Sequence, residues 1–136
     1  MGSEPLILLD THALVWWVAD PARLSTRAKG AIRSALRESH VAASSISLFE
    51  IATAIRRGRL ALMIPAQQWL ADILLLNELR FEPVSAEIAE VAGSFDDAFP
   101  GDPADRIIAA TAVTLGVKLV TADARLGRAP HLHAVW

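Results

Sequence analysis

Four acidic residues, Asp10, Glu50, Asp105 and Asp123, stand where an α/β chain can bring carboxylates to one edge of a sheet. Asp10 directly follows the apolar run Leu6 to Leu9, and Asp123 follows the run Val117 to Val120 through Thr121 and Ala122. Glu50 and Asp105 are expected in the first turns of helices that start from the same rim. In open parallel sheets, ligands bind at the carboxyl ends of the strands, so acids placed there carry more weight than acids elsewhere. Carboxylates brought within roughly 5 Å of one another repel by about 3 kcal/mol per pair at an effective dielectric near 20. A divalent cation reverses that penalty. Mg2+ in particular is held by a few carboxylates and keeps water for chemistry on phosphate.

Each acid also has a local reading. Ser47 followed by Glu50 has the spacing of a capping box, and Asp105 sits three residues after Asp102 with Pro103 at a first helical position. Asp123 alone suits a turn or a helix cap. A carboxylate at the end of an apolar strand gains little unless it is paired, which leaves Asp10 as the acid least explained by local structure. Thr11 and Thr121 flank the two strand-end acids, and their hydroxyls could orient carboxylates or nearby water, or simply cap helices. Arg106, beside Asp105, is a candidate for contact with a substrate phosphate and equally for a surface ion pair. The case therefore stands on the set of acids.

The elements that would position this set can be read from hydrophobic patterning. Short apolar runs at Leu6 to Leu9, Val41 to Ala43, Phe81 to Val84, Val117 to Val120 and His133 to Trp136 are five strand candidates. Helical patterns lie between them. Ser25 is an N-cap ahead of Ala28, Ile32, Ala35 and Leu36, and Pro65 precedes Trp69, Leu70, Ile73 and Leu74. Ser85 caps a helix carrying Ile88, Val91, Ala92 and Phe95, Gly116 closes the helix that begins near Pro103, and Gly58 ends the one through Glu50. Strands alternating with helices predict an α/β fold with a mostly parallel sheet and right-handed crossovers. Trp16, Trp17, Trp69 and Phe95, at helical spacing among aliphatic residues, are expected in the core or at a dimer interface. Arg56, Arg57 and Arg59 read as a solvated helix end or, alternatively, as a phosphate-tracking patch.

Composition narrows the chemistry further. The 136 residues are the size of one domain, with no internal repeat or linker, so a single domain over 1–136 is expected. Mean hydropathy is high at +0.36, yet no apolar stretch is long enough to cross about 30 Å of hydrocarbon. The first residues lack the basic stretch of an export signal, and a cytoplasmic location is the expectation. There is no cysteine, which removes thiolate nucleophiles, disulfides and sulfur-ligated zinc. The four histidines show no zinc spacing. A net charge of −2 offers no global attraction for nucleic acid, so a polyanionic substrate needs a local positive focus, which bound cations on the acidic rim would supply.

At the level of motifs, Leu8-Leu9-Asp10-Thr11-His12-Ala13-Leu14-Val15-Trp16-Trp17 resembles the opening of PIN-domain nucleases of the VapC toxin type. Ser44 and Ser47 through Phe49-Glu50-Ile51-Ala52, then Gly58-Arg59-Leu60, are similar to the second acidic motif of that family. Asp102-Pro103-Ala104-Asp105-Arg106 with Ile108 to Ala112 is similar to the third, and Leu119-Val120-Thr121-Ala122-Asp123 to the fourth. Phe99-Pro100-Gly101 departs from the pattern, standing where many relatives carry histidines.

The resemblance implies a three-layer α/β/α fold with a five-stranded sheet in the order 3-2-1-4-5, and a homodimer. It implies a Mg2+- or Mn2+-dependent ribonuclease acting on single-stranded or loop regions of RNA such as tRNA or rRNA. It also implies a VapB-like antitoxin whose tail covers the acidic pocket. Asp10, Glu50 and Asp105 would hold the metal, and Asp123 would complete its shell or bind a second ion. Two rival readings are a catalytically silent module that keeps the fold, and a phosphatase of the haloacid dehalogenase type. The second needs an acid two residues after Asp10, where His12 stands.

Overall fold

The structure, a computed structural model, describes residues 5, 7–99, 102–127, 129 and 131–136. Leu6, Pro100, Gly101 and the first four residues, all used in the sequence reading, lie outside the described residues.

Five strands form one sheet in the order β3-β2-β1-β4-β5: β1 (Ile7–Leu9), β2 (Val41–Ser44), β3 (Leu79–Glu82), β4 (Lys118–Val120) and β5 (Ala134–Val135). All four pairings are parallel, with Leu8 opposite Ala42 on one side and Leu119 on the other. The predicted sheet order is the observed one. The third strand lies two residues earlier than the apolar run Phe81 to Val84 suggests. Its register, Val41 to Leu79 and Ser44 to Glu82, stops short of Pro83, which has no N–H to continue a ladder.

Side-chain alternation on β1 builds two cores. Ile7 and Leu9 face a cluster with Leu14 of α1 (Thr11–Ala19), Ile32 of α2 (Thr26–Glu38), Ile51 of α3 (Ile46–Arg56) and Trp69 of α4 (Ala66–Ile73). Leu8 faces the opposite way, toward Ile108 and Ala112 of α6 (Pro103–Leu115) and toward Leu126 of α7 (Ala124–Gly127). A satellite cluster joins Ile88 and Ala92 of α5 (Ala86–Ser94) to Ala110 of α6. A sheet covered by helices on both faces is the three-layer arrangement, and it explains why a central strand can be apolar at every position. The expected core aromatics are there: Trp69 is buried, Trp16 and Trp17 pack against the first cluster, and Phe95 packs against the satellite.

The helix boundaries follow the capping residues. Ser25 and Ser85 accept hydrogen bonds from the backbone N–H groups of Ala28 and Ile88. Gly116 ends α6 at φ 69°, in the left-handed region where a side chain costs energy. An added Cβ there would meet nothing within 4 Å, so Gly116→Ala is expected to cost only the backbone term, about 1 kcal/mol in urea unfolding. No helix among the described residues is long and apolar enough to cross a membrane.

Candidate functional site

The strand order reverses between β1 and β4, from β1-β2-β3 on one side to β4-β5 on the other, which places a switch point at the carboxyl ends of those two parallel strands. Asp10 follows β1 and serves as the N-cap of α1, with Oδ1 accepting from the Ala13 N–H at 2.8 Å. Asp10 is 8% exposed, and its carboxyl group shares a hydrogen bond with the Thr121 hydroxyl beyond β4. Asp10, Glu50, Asp105 and Asp123 all line one cleft of about 870 Å³ over this edge of the sheet, together with Asp102.

Glu50 enters from α3, but not as the sequence suggests. The helix starts at Ile46, so Glu50 lies in its second turn and Ser47 is an interior residue, not a cap. The Ser47 hydroxyl instead lies 2.8 Å from the Thr11 hydroxyl, which donates a hydrogen bond to Glu50 Oε1. Ser47 is fully buried, and its tie to Thr11 links α3 to the start of α1. Ser47's place three residues before Glu50 was the available signal, although it suggested a different bond.

Asp105 does follow the local reading. Asp102 accepts from the Asp105 N–H at 3.0 Å and the Asp105 carboxylate accepts from the Asp102 N–H at 3.4 Å, a reciprocal capping box. That box has a consequence for charge, because it fixes two carboxylates in one helical turn. An oxygen from each of Glu50, Asp102 and Asp105 lies within 4.8 Å of the other two. Sequence reasoning treated Asp102 only as a cap and missed it as a member of the cluster. The spacing Asp-Pro-x-Asp was the signal for it.

Burial and mutual repulsion oppose ionisation here. Burial raises the Asp10 carboxyl above the usual range, and it does the same for Glu50. Burial, followed by the charges of Asp102 and Glu50, pushes Asp105 up to about 6. Among the described residues no cationic side chain forms an ion pair with Asp10, Glu50, Asp102 or Asp105. A divalent cation supplies the missing positive charge, so this donor set fits one.

Asp123 differs from the other three. Arg125 bonds to its carboxylate at 2.9 Å, and this partner holds the Asp123 pKa below the usual range. Thr121 accepts from the Asp123 N–H at 3.0 Å, so that one hydroxyl ties Asp10 and Asp123 together. Arg106 corrects another expectation. Its guanidinium donates to the carbonyls of Phe95 and Asp96 and lies over the Phe99 ring at 5.7 Å, away from the cleft. The loop after α5 needs those carbonyls satisfied, and Arg106 is the donor in reach. Among the described residues, the arginines that line the cleft are Arg23, Arg57, Arg59 and Arg125.

A family model for the PIN domain matches residues 7–132. The chain belongs to the PIN-domain family. Ribonuclease VapC22 of Mycobacterium tuberculosis is 41% identical over 132 residues, covering 96% of this chain and 98% of the relative, which places this PIN domain among the VapC type. Solved structures share its fold at lower identity. VapBC2 from Rickettsia felis, bound to a promoter DNA fragment, matches with a TM-score of 0.71 at 20% identity, covering 95% of this chain and 96% of that one. DNA-bound VapBC from Salmonella typhimurium gives 0.68 at 17%, covering 96% of each chain. VapC20 of Mycobacterium tuberculosis, a toxin cleaving the sarcin-ricin loop, gives 0.57 at 24%, covering 82% and 85%. The acidic cluster of this PIN domain falls within the matched segment, from Asp10 to Asp123.

Proposed function

We propose that this PIN domain is a Mg2+- or Mn2+-dependent endoribonuclease, the toxin of a VapBC-type pair, cutting single-stranded or loop regions of RNA. The observation that carries the reading is the meeting of Glu50, Asp102 and Asp105, with oxygens within 4.8 Å of one another, in the cleft that Asp10 also lines, without an ion pair to a protein cation among the described residues. The 41% identity to a VapC ribonuclease supports the activity, and the structural likeness to VapBC complexes supports a VapB-like antitoxin as partner. A cytoplasmic homodimer made of a single domain over 1–136 belongs to the same reading.

Asp10, Glu50 and Asp105, with Asp102 beside them, would hold the metal. A divalent cation held there would supply an activated water as nucleophile and positive charge to offset the charge that builds on the phosphoryl group. The protein's part is to fix the acids before substrate arrives. Thr11 steers Glu50, Thr121 steers Asp10, and the α1 N-terminus restrains Asp10 through the Ala13 N–H. Asp123 is drawn toward Arg125, so it acts at the margin of the cluster, completing the metal's shell or helping to hold a second ion. No side chain becomes covalently attached, and the product end is a 5'-phosphate.

The direct test incubates purified protein with structured RNAs in Mg2+ or Mn2+, against EDTA and Asp10→Asn controls. Cleavage confined to the wild type with metal is the expected result. Equal cleavage in every arm marks a contaminant, and no cleavage of any RNA or single-stranded DNA favours the silent module.

Protons and metal compete for these oxygens, which gives a stability prediction. The folded chain holds the Asp105 proton with a pKa of about 6, above the ordinary aspartate value. That contribution to stability is complete below about pH 4 and is lost as pH rises through 6. Asp123 has the opposite sign, but its loss falls below the usual carboxylate range and outside this window. Metal-free protein is therefore expected to be more stable, and to melt higher, at pH 5.5 than at pH 7.5, by about 0.5 kcal/mol from Asp105 after allowing for its partial exposure. Saturating Mn2+ should reverse the order, because metal binding stabilises most where the carboxylates are deprotonated. Thermal melts at both pH values, with and without Mn2+, check it.

A further inference from the structure

Among the residues lining the cleft, Phe49 is the large apolar side chain left to solvent. It is 66% exposed, it immediately precedes Glu50, and it has no aromatic or cationic partner among the described residues. Trp16, the other aromatic of the cleft, is already occupied. Arg23 lies over its ring at 5.0 Å, and His12 and Trp136 sit at 5.5 and 5.6 Å between centroids. Leaving a Phe exposed forgoes the gain of burying its ring, and the Phe49 ring packs in none of the three core clusters.

The helix that carries Phe49 supplies the rest of a polyanion track. Phe49, Glu50, Thr53 and Ala54 of α3, with its C-cap Arg57, line the cleft at i, i+1, i+4, i+5 and i+8. Arg57 is about 10 Å along the axis from Glu50, which puts its cation beyond a phosphate at the acid cluster and in reach of a neighbouring one. Arg59 lines the same cleft just past the end of α3. Neither Arg57 nor Arg59 forms an ion pair among the described residues. An exposed aromatic face, uncommitted guanidinium groups and a cleft open to solvent are the ingredients by which single-stranded nucleic acid is held without base pairing.

We propose that Phe49 is a stacking platform for an unpaired nucleobase beside the scissile phosphate, with Arg57 and Arg59 holding the next phosphates along α3. The inference builds on the ribonuclease reading and adds a positioning residue to it. It also gives a physical reason for a preference for unpaired RNA, since a base inside a duplex has no free face to offer. Arg57 and Arg59 tilt the choice of occupant toward RNA over a protein tail, because the adjoining acids, once metal-loaded, give the whole groove a positive lining.

The test uses a single-stranded RNA oligonucleotide carrying 2-aminopurine, whose fluorescence is quenched by stacking, titrated with the full chain in the uncleaving Asp10→Asn background. Saturable quenching is expected, weakened about 10-fold or more by Phe49→Ala and retained by Phe49→Trp. Arg57→Ala should lower the slope of log affinity against log salt by about one. In the otherwise wild-type enzyme, Phe49→Ala should raise KM for RNA with a smaller change in kcat. Unchanged quenching and KM in Phe49→Ala overturn the proposal while cleavage by the wild type stands, and they leave Phe49 to a protein partner. Quenching that depends on Phe49 in a protein that cuts no RNA keeps the stacking site and sinks the ribonuclease reading instead. Absence of quenching in the Phe49-containing protein overturns the stacking site outright.

Discussion

Replacing Asp10 with Asn is expected to lower RNA cleavage by about 10²- to 10³-fold at saturating Mn2+ while leaving the melting temperature unchanged or slightly higher. The two halves of this result have separate causes. Asn keeps the side-chain oxygen that accepts from the Ala13 N–H, and it is as good an N-cap for α1 as Asp. It also removes a buried charge whose ionisation burial disfavours, so folding loses nothing. What disappears is a negative oxygen at the switch point, where Asp10 adds to the fields of Glu50 and Asp105. Cleavage rates over a Mn2+ titration, alongside thermal melts, separate the two. Retention of cleavage within about threefold at saturating metal would remove Asp10 from the catalytic set.

Leu8→Ala is expected to be the most damaging single change to the fold, costing about 3–5 kcal/mol in denaturant unfolding. Leu8 is wholly buried on the central strand, with neighbours in register on both sides. Ala42 opposite is already small and cannot expand into the void, and Ile108, Leu119 and Leu126 are held by their own packing. The cavity is therefore expected to persist instead of collapsing, which puts the cost toward the upper part of the range. Since ordinary domains have only about 5–15 kcal/mol in hand, the variant should show a measurable unfolded fraction when warmed. The exposed Leu75 is the control, and Leu75→Ala should change stability by less than about 0.5 kcal/mol. Similar effects at the two positions would mean that Leu8 does not sit in a closed core.

These two variants probe features that were legible at different levels. The run ending at Leu9 could be read as a central strand because it is apolar at successive positions, and Asp10 stood out as a carboxylate at its end, although the structure shows that it also caps α1. The capping residues Ser25, Ser85, Asp102 and Gly116 were equally legible, since each answers to backbone geometry within four residues. Asp102 shows the limit of that kind of reading. Its cap explained it so completely that its carboxylate was not considered beside Glu50, although the structure brings them together.

Longer-range partnerships could not be read along the chain. Ser47 bonds to Thr11 across 36 residues, and Arg106 reaches back to carbonyls 10 and 11 residues earlier. Local spacing suggested other partners for both. Phe49 entered the sequence reading only as a member of the second acidic motif, and only the direction in which α3 faces the cleft leaves it in solvent.

By itself, then, the sequence determined the alternation of strands and helices, the sheet order through its family motifs, and the four acids that line the cleft. Tertiary structure alone decided that Asp102 joins the cluster, that Arg125 draws Asp123 aside, that Arg106 is spent on a loop, and that Phe49 and Arg57 line the groove. The physical reason is range. Hydrophobic period and capping act between residues a few positions apart, whereas charge pairing and exposure depend on distances set only when separate elements pack against one another.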